Sequence, residues 1–481
     1  VSGAASINAS LTNLKATDKI TFSISGDATV ADLAGLAGKT DKADISLGGN
    51  ITGTDVFQFM KDEGTFDTKT DNYDAAKGHT TAENIVLNDT GKTTLAMTAA
   101  KNITALNAIM NDAEGSVTAE ITDPNGHLVA GTKRLTTTAN DAITVNLGTL
   151  DPSGGNLDEI KKLADQTAAN GKGGVDAIKG SLTISADDIT NKLKTFTNLT
   201  SANNKINFTL DNEVSVGEAA KLVAKMHSSA TIDFAQGIKG DIGDLAKTDG
   251  TEAVSNDLAA VLAKDPTVNI KVTDTVDSKN KVIALNAIRK GVTTGTITAG
   301  TVSISASDAT AFKTSTGYFD AEDALTITIS DAVDVAAFKI LDDLSSKKVV
   351  LTTGLKDDLD KLMKSATALS DDAKKAVDQN TNLKIEVKDA VTSSDVATLN
   401  GLAGKTGGAI TASISGAASI NTSLGNLTSS DKITFSISGD ASVAQMAGLS
   451  GKTDKTDISL GGNITGTSVF DFIKDAGAYN A

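Results

Sequence analysis

Apolar positions along the chain switch repeatedly between two periods. Short runs with every second residue apolar, such as Ile20-Thr21-Phe22-Ser23-Ile24, Ile206-Asn207-Phe208-Thr209-Leu210 and Leu325-Thr326-Ile327-Thr328-Ile329, read as strands with one apolar face. A cluster of Ser, Gly, Asp and Thr follows each run. The apolar positions then take helical spacing, at Val30/Leu33/Leu36, Ile103/Leu106/Ile109/Met110, Ala219/Leu222/Val223/Met226, Val335/Phe338/Leu341/Leu344 and Val396/Leu399/Leu402, one buried stripe per short helix. Strand starts fall near Ile20, Asp44, Ile85, Val117, Ile143, Leu182, Ile206, Thr231, Val268, Val302, Leu325, Val349, Lys384 and Ile410, then again at Ile433. Fourteen strand–helix repeats of about 30 residues thus occupy 413 residues.

The same number emerges from a second, longer repeat. Residues 1–68 align without gaps on 414–481, and 49 of the 68 positions are identical. The expected organisation is one module over 1–413, opening inside a strand–helix repeat, and the start of a second module over 414–481. A chain that extends itself needs such a duplication, whereas a single active site does not.

Serial strand, helix and strand can wind as a doubly wound sheet, a closed barrel or a solenoid. Fourteen repeats exceed an eight-stranded barrel, and strands buried on both faces would be apolar throughout. These strands carry Thr, Ser, Asn and Asp at every other position. The expected fold is therefore an elongated α/β (β/α) solenoid, with parallel strands on one wall and short helices on the other. Parallel strands spaced ~4.8 Å apart would extend a fourteen-strand module roughly 67 Å.

Composition narrows the chemistry. The 481 residues include no Cys, three His, three Pro and no Trp, so thiolate metal sites and most imidazole catalysis drop out. A net charge of −16 opposes nucleic-acid binding and adsorption to anionic membranes. No apolar run reaches the ~18 residues of a membrane span, and the residues from Val1 onward do not form a charged start followed by an apolar stretch and a cleavage site. The four Gly-Lys-Thr triplets at 38–40, 91–93, 404–406 and 451–453 lack the earlier glycine of a phosphate loop. Left-handed glycine C-caps explain three of them. His79, His127 and His227 are too far apart in sequence to suggest a ligand set, and the three Asp-Pro pairs read as turn punctuation.

Acidic residues recur where strands give way to helices, at Asp27, Asp89, Asp123, Asp187, Asp188, Asp211, Asp274, Asp308, Asp331, Asp389 and Asp440. Helix N-capping is the plain account. Calcium between coils is the alternative, with Asp27, Asp123, Asp211, Asp274, Asp331, Asp389 and Asp440 as candidate ligands, because hard cations take several carboxylate oxygens. No EF-hand or calcium β-roll motif is present, and no catalytic residue or other cofactor is expected.

Units such as Ile20-Thr-Phe-Ser-Ile-Ser-Gly-Asp27 followed by Val30-Ala-Asp-Leu-Ala-Gly-Leu36, Cys-free, acidic and embedded in a larger tandem module, resemble the repeat regions of giant bacterial cell-surface and extracellular proteins. That resemblance implies secretion and roles in adhesion, surface coats or fibres, and brings no catalytic residues. Bacterial S-layer proteins share the composition and commonly bind calcium, but their anchoring motifs are absent here. Two functions follow as expectations. One is a non-catalytic extracellular filament whose modules associate with one another end to end or laterally. The other is a calcium- or glycan-binding adhesin or S-layer subunit, with its polar strand face or inserted loops near 64–83, 124–142, 148–180 and 237–267 as the contact surface.

Overall fold

The computed structural model describes residues 1–15, 17–39, 45–55, 95–100, 106–107, 110, 117–122, 141–150, 156–166, 175–313, 318–320, 323–453, 457–468 and 472. They form two compact units: unit 1 holds Val1–Ile238 with Ala263–Asp265, and unit 2 holds Lys239–Leu262 with Pro266–Ala481.

In unit 1 the strands include β1 (Ser2–Gly3), β2 (Phe22–Ile24), β3 (Ala28–Thr29), β4 (Ile45–Leu47), β5 (Ile51–Asp55), β6 (Leu95–Ala100), β7 (Val117–Thr122), β8 (Ala142–Leu150), β9 (Val175–Ile184), β10 (Asn204–Leu210) and β11 (Ile232–Asp233), with a further two-residue strand at Val214–Ser215. They make a short sheet, β1-β2-β4, and a long one, β11-β10-β9-β8-β7-β6-β5-β3. Unit 2 contains β12 (Ile270–Val276), β13 (Ile297–Ile304), β14 (Ala324–Ile329), β15 (Val349–Leu351), β16 (Leu355–Asp357), β17 (Ile385–Val387), β18 (Ile410–Gly416), β19 (Lys432–Ile437), β20 (Ala441–Ser442), β21 (Ile458–Leu460) and β22 (Ile464–Thr465). Here β12-β13-β14-β15 run in succession, β16-β17-β18-β19-β21 form a second sheet and β20 pairs β22. These pairings are parallel, as in Val145↔Ile178, Ile327↔Val349 and Phe435↔Ile458. An antiparallel hairpin joins Met363–Ser365 to Ala368–Leu369.

Within each sheet strand order follows chain order, although β2 pairs β4 and β3 pairs β5, and likewise β19 pairs β21 and β20 pairs β22. Parallel neighbours need crossover connections, and crossovers running always in one direction keep them on one face of a sheet. Burial agrees with this, because β7, β10, β14 and β19 each bury every second residue. The fold is mixed α/β with mostly parallel sheets, and none of them closes into a barrel among the described residues.

The helices are α1 (Val30–Ala37), α2 (Asn156–Gln166), α3 (Ala186–Asn191), α4 (Val216–Ala224), α5 (Ile242–Leu245), α6 (Asn256–Leu262), α7 (Lys279–Gly291), α8 (Ala306–Ala309), α9 (Val335–Asp342), α10 (Leu359–Leu362), α11 (Asp371–Gln379), α12 (Val396–Ala403) and α13 (Val443–Ser450). Their apolar stripes form the core against the strands: Phe338 and Leu341 of α9, and Leu399 and Leu402 of α12, are almost wholly buried. Each such side chain contributes about 1.5–3 kcal/mol of transfer free energy. None of the described helices is long and apolar enough to cross a membrane.

Several sequence expectations need correction. β9 starts at Val175 rather than near Leu182, and β13 at Ile297 rather than near Val302. Both strands contain a register shift that reverses the in/out parity, beside Gly300 in β13 and at Asp176 in β9, where Ala177 and Ile178 are both buried, and only the second half of each alternates cleanly. Residues 148–180, expected as an inserted loop, carry α2, and 237–267 carry α5 and α6. Gly404 and Gly451 are helix C-caps, but with φ of −77° and −75° they are right-handed. Space explains Gly404 instead, since a Cβ there would lie 2.8 Å from Nδ2 of Asn426. The expected strand start at Ile85 and the loop at 64–83 lie outside the described residues.

Candidate functional site

The recurring aspartates tie neighbouring strand–helix repeats together. The helices that follow most of them are capped by other residues: Ser215 for α4, Asp334 for α9 and Ser442 for α13 accept the N-terminal amides. The candidate carboxylates act across the ladder. Asp274 accepts the N–H of Ile242 at 2.7 Å, Asp331 that of Ala306 at 3.3 Å and Asp389 that of Leu359 at 2.9 Å. Those donors are the first residues of α5, α8 and α10, each in the preceding repeat. Asp357 does the same for Val335 of α9 at 3.0 Å, and Asn212 for Ala186 of α3 at 2.9 Å. An N–H without an intrahelical partner thus meets an oxygen supplied 22–32 residues later in the chain.

Asp27 and Asp440 point the other way along the ladder, accepting the N–H of Asn50 at 2.8 Å and of Asn463 at 2.7 Å. Asp211 is exposed, and its backbone N–H donates to Ile184 O at 3.2 Å. Asp188 forms a capping box with Ser185, and Glu218 one with Ser215. Burial pulls both carboxyls upward, but hydrogen bonds from these serines and their neighbours outweigh it, so both lie below the ordinary range. Asp308 lies in the first turn of α8, where its N–H donates to Ser305. Asp89 and Asp123 lie outside the described residues.

Sequence reasoning missed a second set of clips, at the strand starts. Asp141 accepts the N–H of Val117, Asp176 that of Ile143 and Asp431 that of Ile410, all at 2.7 Å, while Asp323 accepts that of Ile297 at 3.1 Å. Asp141, Asp323 and Asp431 are buried. A buried, charge-assisted bond of this kind is worth about 1.5–3 kcal/mol. The available signal was an Asp immediately before a strand, as in Asp141-Ala142, Asp323-Ala324 and Asp431-Lys432. Lysines add a third set: Lys225 donates to Phe196 O, and Lys452 of one Gly-Lys-Thr triplet to Leu424 O, both at 2.6 Å. Lys264 spans the carbonyls of His227, Ser228 and Ala230 at 2.8–2.9 Å.

No group of three His, Asp or Glu residues converges as a metal site among the described residues. His227 hydrogen-bonds Ser229 through Nδ1 at 2.7 Å; His79 and His127 lie outside the described residues.

The duplicated segments adopt matching structures. The 3₁₀ turns Ala5–Ser10 and Ala418–Ser423, helices α1 and α13, and strands β4 and β21 are each 413 residues apart. Pairings match too, as in Phe22↔Ile45 and Phe435↔Ile458. In unit 2, β18 runs uninterrupted from Ile410 to Gly416, across the point where the sequence begins to repeat. Ile385↔Ile410 lies before that seam and Ile414↔Phe435 after it, in one sheet. Asp431 clips back to Ile410, and Asn426 bonds Asn400 through its N–H at 2.7 Å and its Nδ2 at 2.9 Å. The seam is therefore made with the same contacts as the repeats on either side of it.

No protein-family model matches this chain, and no curated protein matches its sequence.

Proposed function

We propose that this chain is a structural, non-catalytic extracellular protein whose 413-residue modules continue into one another as a β/α solenoid, making a filament or stalk from copies of itself. One observation carries the reading: β18 passes through the repeat point, and the second copy is clipped to the first by Asp431 and Asn426 as one repeat is to the next. Among the described residues no linker interrupts the ladder at that point, and the stacking contacts there are internal hydrogen bonds and apolar stripes. In this reading fourteen strands span each module and the stacking needs no ion. Calorimetry in Ca²⁺ and in EGTA tests it, with equal melting temperatures expected. Calcium held between coils at a hundred times its Kd would add about 2.7 kcal/mol and raise the melting temperature by several degrees. Such a rise would favour the calcium-binding adhesin or coat protein instead.

A further inference from the structure

We propose that Lys179, Asn146 and Glu120 form a self-modification site, at which the Lys179 amine displaces ammonia from the Asn146 carboxamide and leaves β8 and β9 joined by a side-chain amide. The proposal does not depend on the filament reading.

The three residues lie on successive parallel strands, Glu120 on β7, Asn146 on β8 and Lys179 on β9. All three are half-buried on the polar face of the sheet. Asn146 and Lys179 are register partners, and Glu120 sits opposite Thr144, two residues before Asn146. One carboxylate holds both reacting groups: Glu120 Oε2 accepts from Lys179 Nζ at 2.6 Å, and Oε1 from Asn146 Nδ2 at 3.2 Å. The carbonyl of the carboxamide is held as well. Gly148 N–H donates to Asn146 Oδ1 at 3.0 Å, from a backbone turned into the left-handed region, with φ of 66°.

A bulge creates this geometry. Pairing passes from Asn146↔Lys179 directly to Thr149↔Ser181, so Leu147 and Gly148 of β8 stand against Gly180 alone. A Cβ at 180 would lie 2.7 Å from Gly148 O, which leaves room only for glycine. An ion pair by itself needs neither the bulge nor the carboxamide. Cations also outnumber the carboxylate, because Lys205 is the register partner of Lys179 on β10. Like charges directly opposite one another repel, and forming the amide removes one of them.

The chemistry balances without oxidant or cofactor. Glu120 takes a proton from the Lys179 ammonium, and the free amine attacks Cγ of Asn146. The Gly148 N–H stabilises the negative charge that develops on Oδ1. Glu120 then protonates Nδ2 as the Cγ–Nδ2 bond breaks and takes the surplus proton from Nζ, which the departing ammonia carries off. One ammonium and one carboxamide become a secondary amide and an ammonium ion. With Lys179 and Glu120 side chains 35% and 31% exposed, the first proton transfer is uphill, but a bond that forms once tolerates a slow step. In a chain without cysteine the amide does the work of a disulfide, closing the loop between 146 and 179.

Mass spectrometry of the intact 481-residue chain, denatured after incubation in the folded state at neutral pH, tests the proposal. The mass is expected to fall below that of the sequence by one ammonia, and digestion to give a branched peptide joining Asn146 to Lys179. Glu120→Gln cannot relay a proton and is expected to slow the loss at least about a hundred-fold. Lys179→Arg is expected to keep the full mass. The full sequence mass in the unaltered chain overturns the proposal. So does an ammonia loss that survives Lys179→Arg and gives no branched peptide, since closure of Asn146 onto its own backbone also releases ammonia.

Discussion

Arg289→Ala is expected to lower the stability of unit 2 by about 3–5 kcal/mol, the cost of leaving a buried charge without its partner. Arg289, near the end of α7, is 8% exposed; its Nε donates to Asp323 at 2.9 Å and its Nη1 to Val292 O at 3.0 Å. Asp323, 1% exposed, also accepts the N–H groups of Ile297 and Asp320, so one carboxylate ties β13, α7 and the turn before β14. Burial pushes the Asp323 carboxyl above the ordinary range, against the pull of the Ile297 N–H and Arg289. The folded protein therefore keeps this proton to a higher pH than the unfolded chain does, and the group's contribution to stability falls as pH rises between those two pKa values. Removing the guanidinium extends that interval upward, so the variant is expected to lose more stability at neutral pH than in mild acid. Urea midpoints at both pH values, read with unchanged slopes, measure the difference. The exposed pair Lys161–Asp165 is the control, since Lys161→Ala should cost no more than about 1 kcal/mol. A loss that small for Arg289→Ala, equal at both pH values, would sink this account of the pair.

The second large effect uses the duplication as its own reference. Phe435→Ala is expected to cost about 3–5 kcal/mol, the range for emptying a buried phenylalanine site. Phe435 is fully buried between Ile414 and Ile458 on the flanking strands. Phe22, its copy, is equally buried and faces Ile45 in the same register. Their neighbours on the other side differ: Ile414 is 1% exposed, and its counterpart Val1 is 53% exposed. β2 is flanked by β1 as well as by β4, but β1 spans only Ser2–Gly3, so a cavity at Phe22 fills with water more readily than one at Phe435 beside the seven-residue β18. Phe22→Ala is therefore expected at or below the low end of the range, with local hydrogen exchange around β2 and β19 as the measurement. Equal losses at the two sites would show that the flanking strand contributes nothing to the packing.

What was legible in the sequence was local. Period-two runs located β2, β7, β10, β14 and β19, and the stripe Val335/Phe338/Leu341/Leu344 located α9, because both patterns are imposed by neighbours a few residues away. Register shifts inside β9 and β13 hid the first half of each strand by reversing its parity. α2 lies within 148–180, expected as an inserted loop, although Leu157, Ile160, Leu163 and Ala164 have helical spacing and are buried. The carboxylate clips were beyond a local reading altogether. Capping rules pair an Asp with an amide two or three residues ahead, whereas the amide that meets Asp389 lies 30 residues back and is brought there only by parallel pairing of β16 with β17.

The account turns on modules continuing into one another as a single ladder, and the contour length of chains with two, three and four modules, seen by electron microscopy, tests this most directly. Each added module is expected to lengthen a thread of constant width by the same step, about 67 Å for fourteen strands ~4.8 Å apart. Separate globules joined by flexible gaps, or particles that grow in girth instead of length, would contradict it.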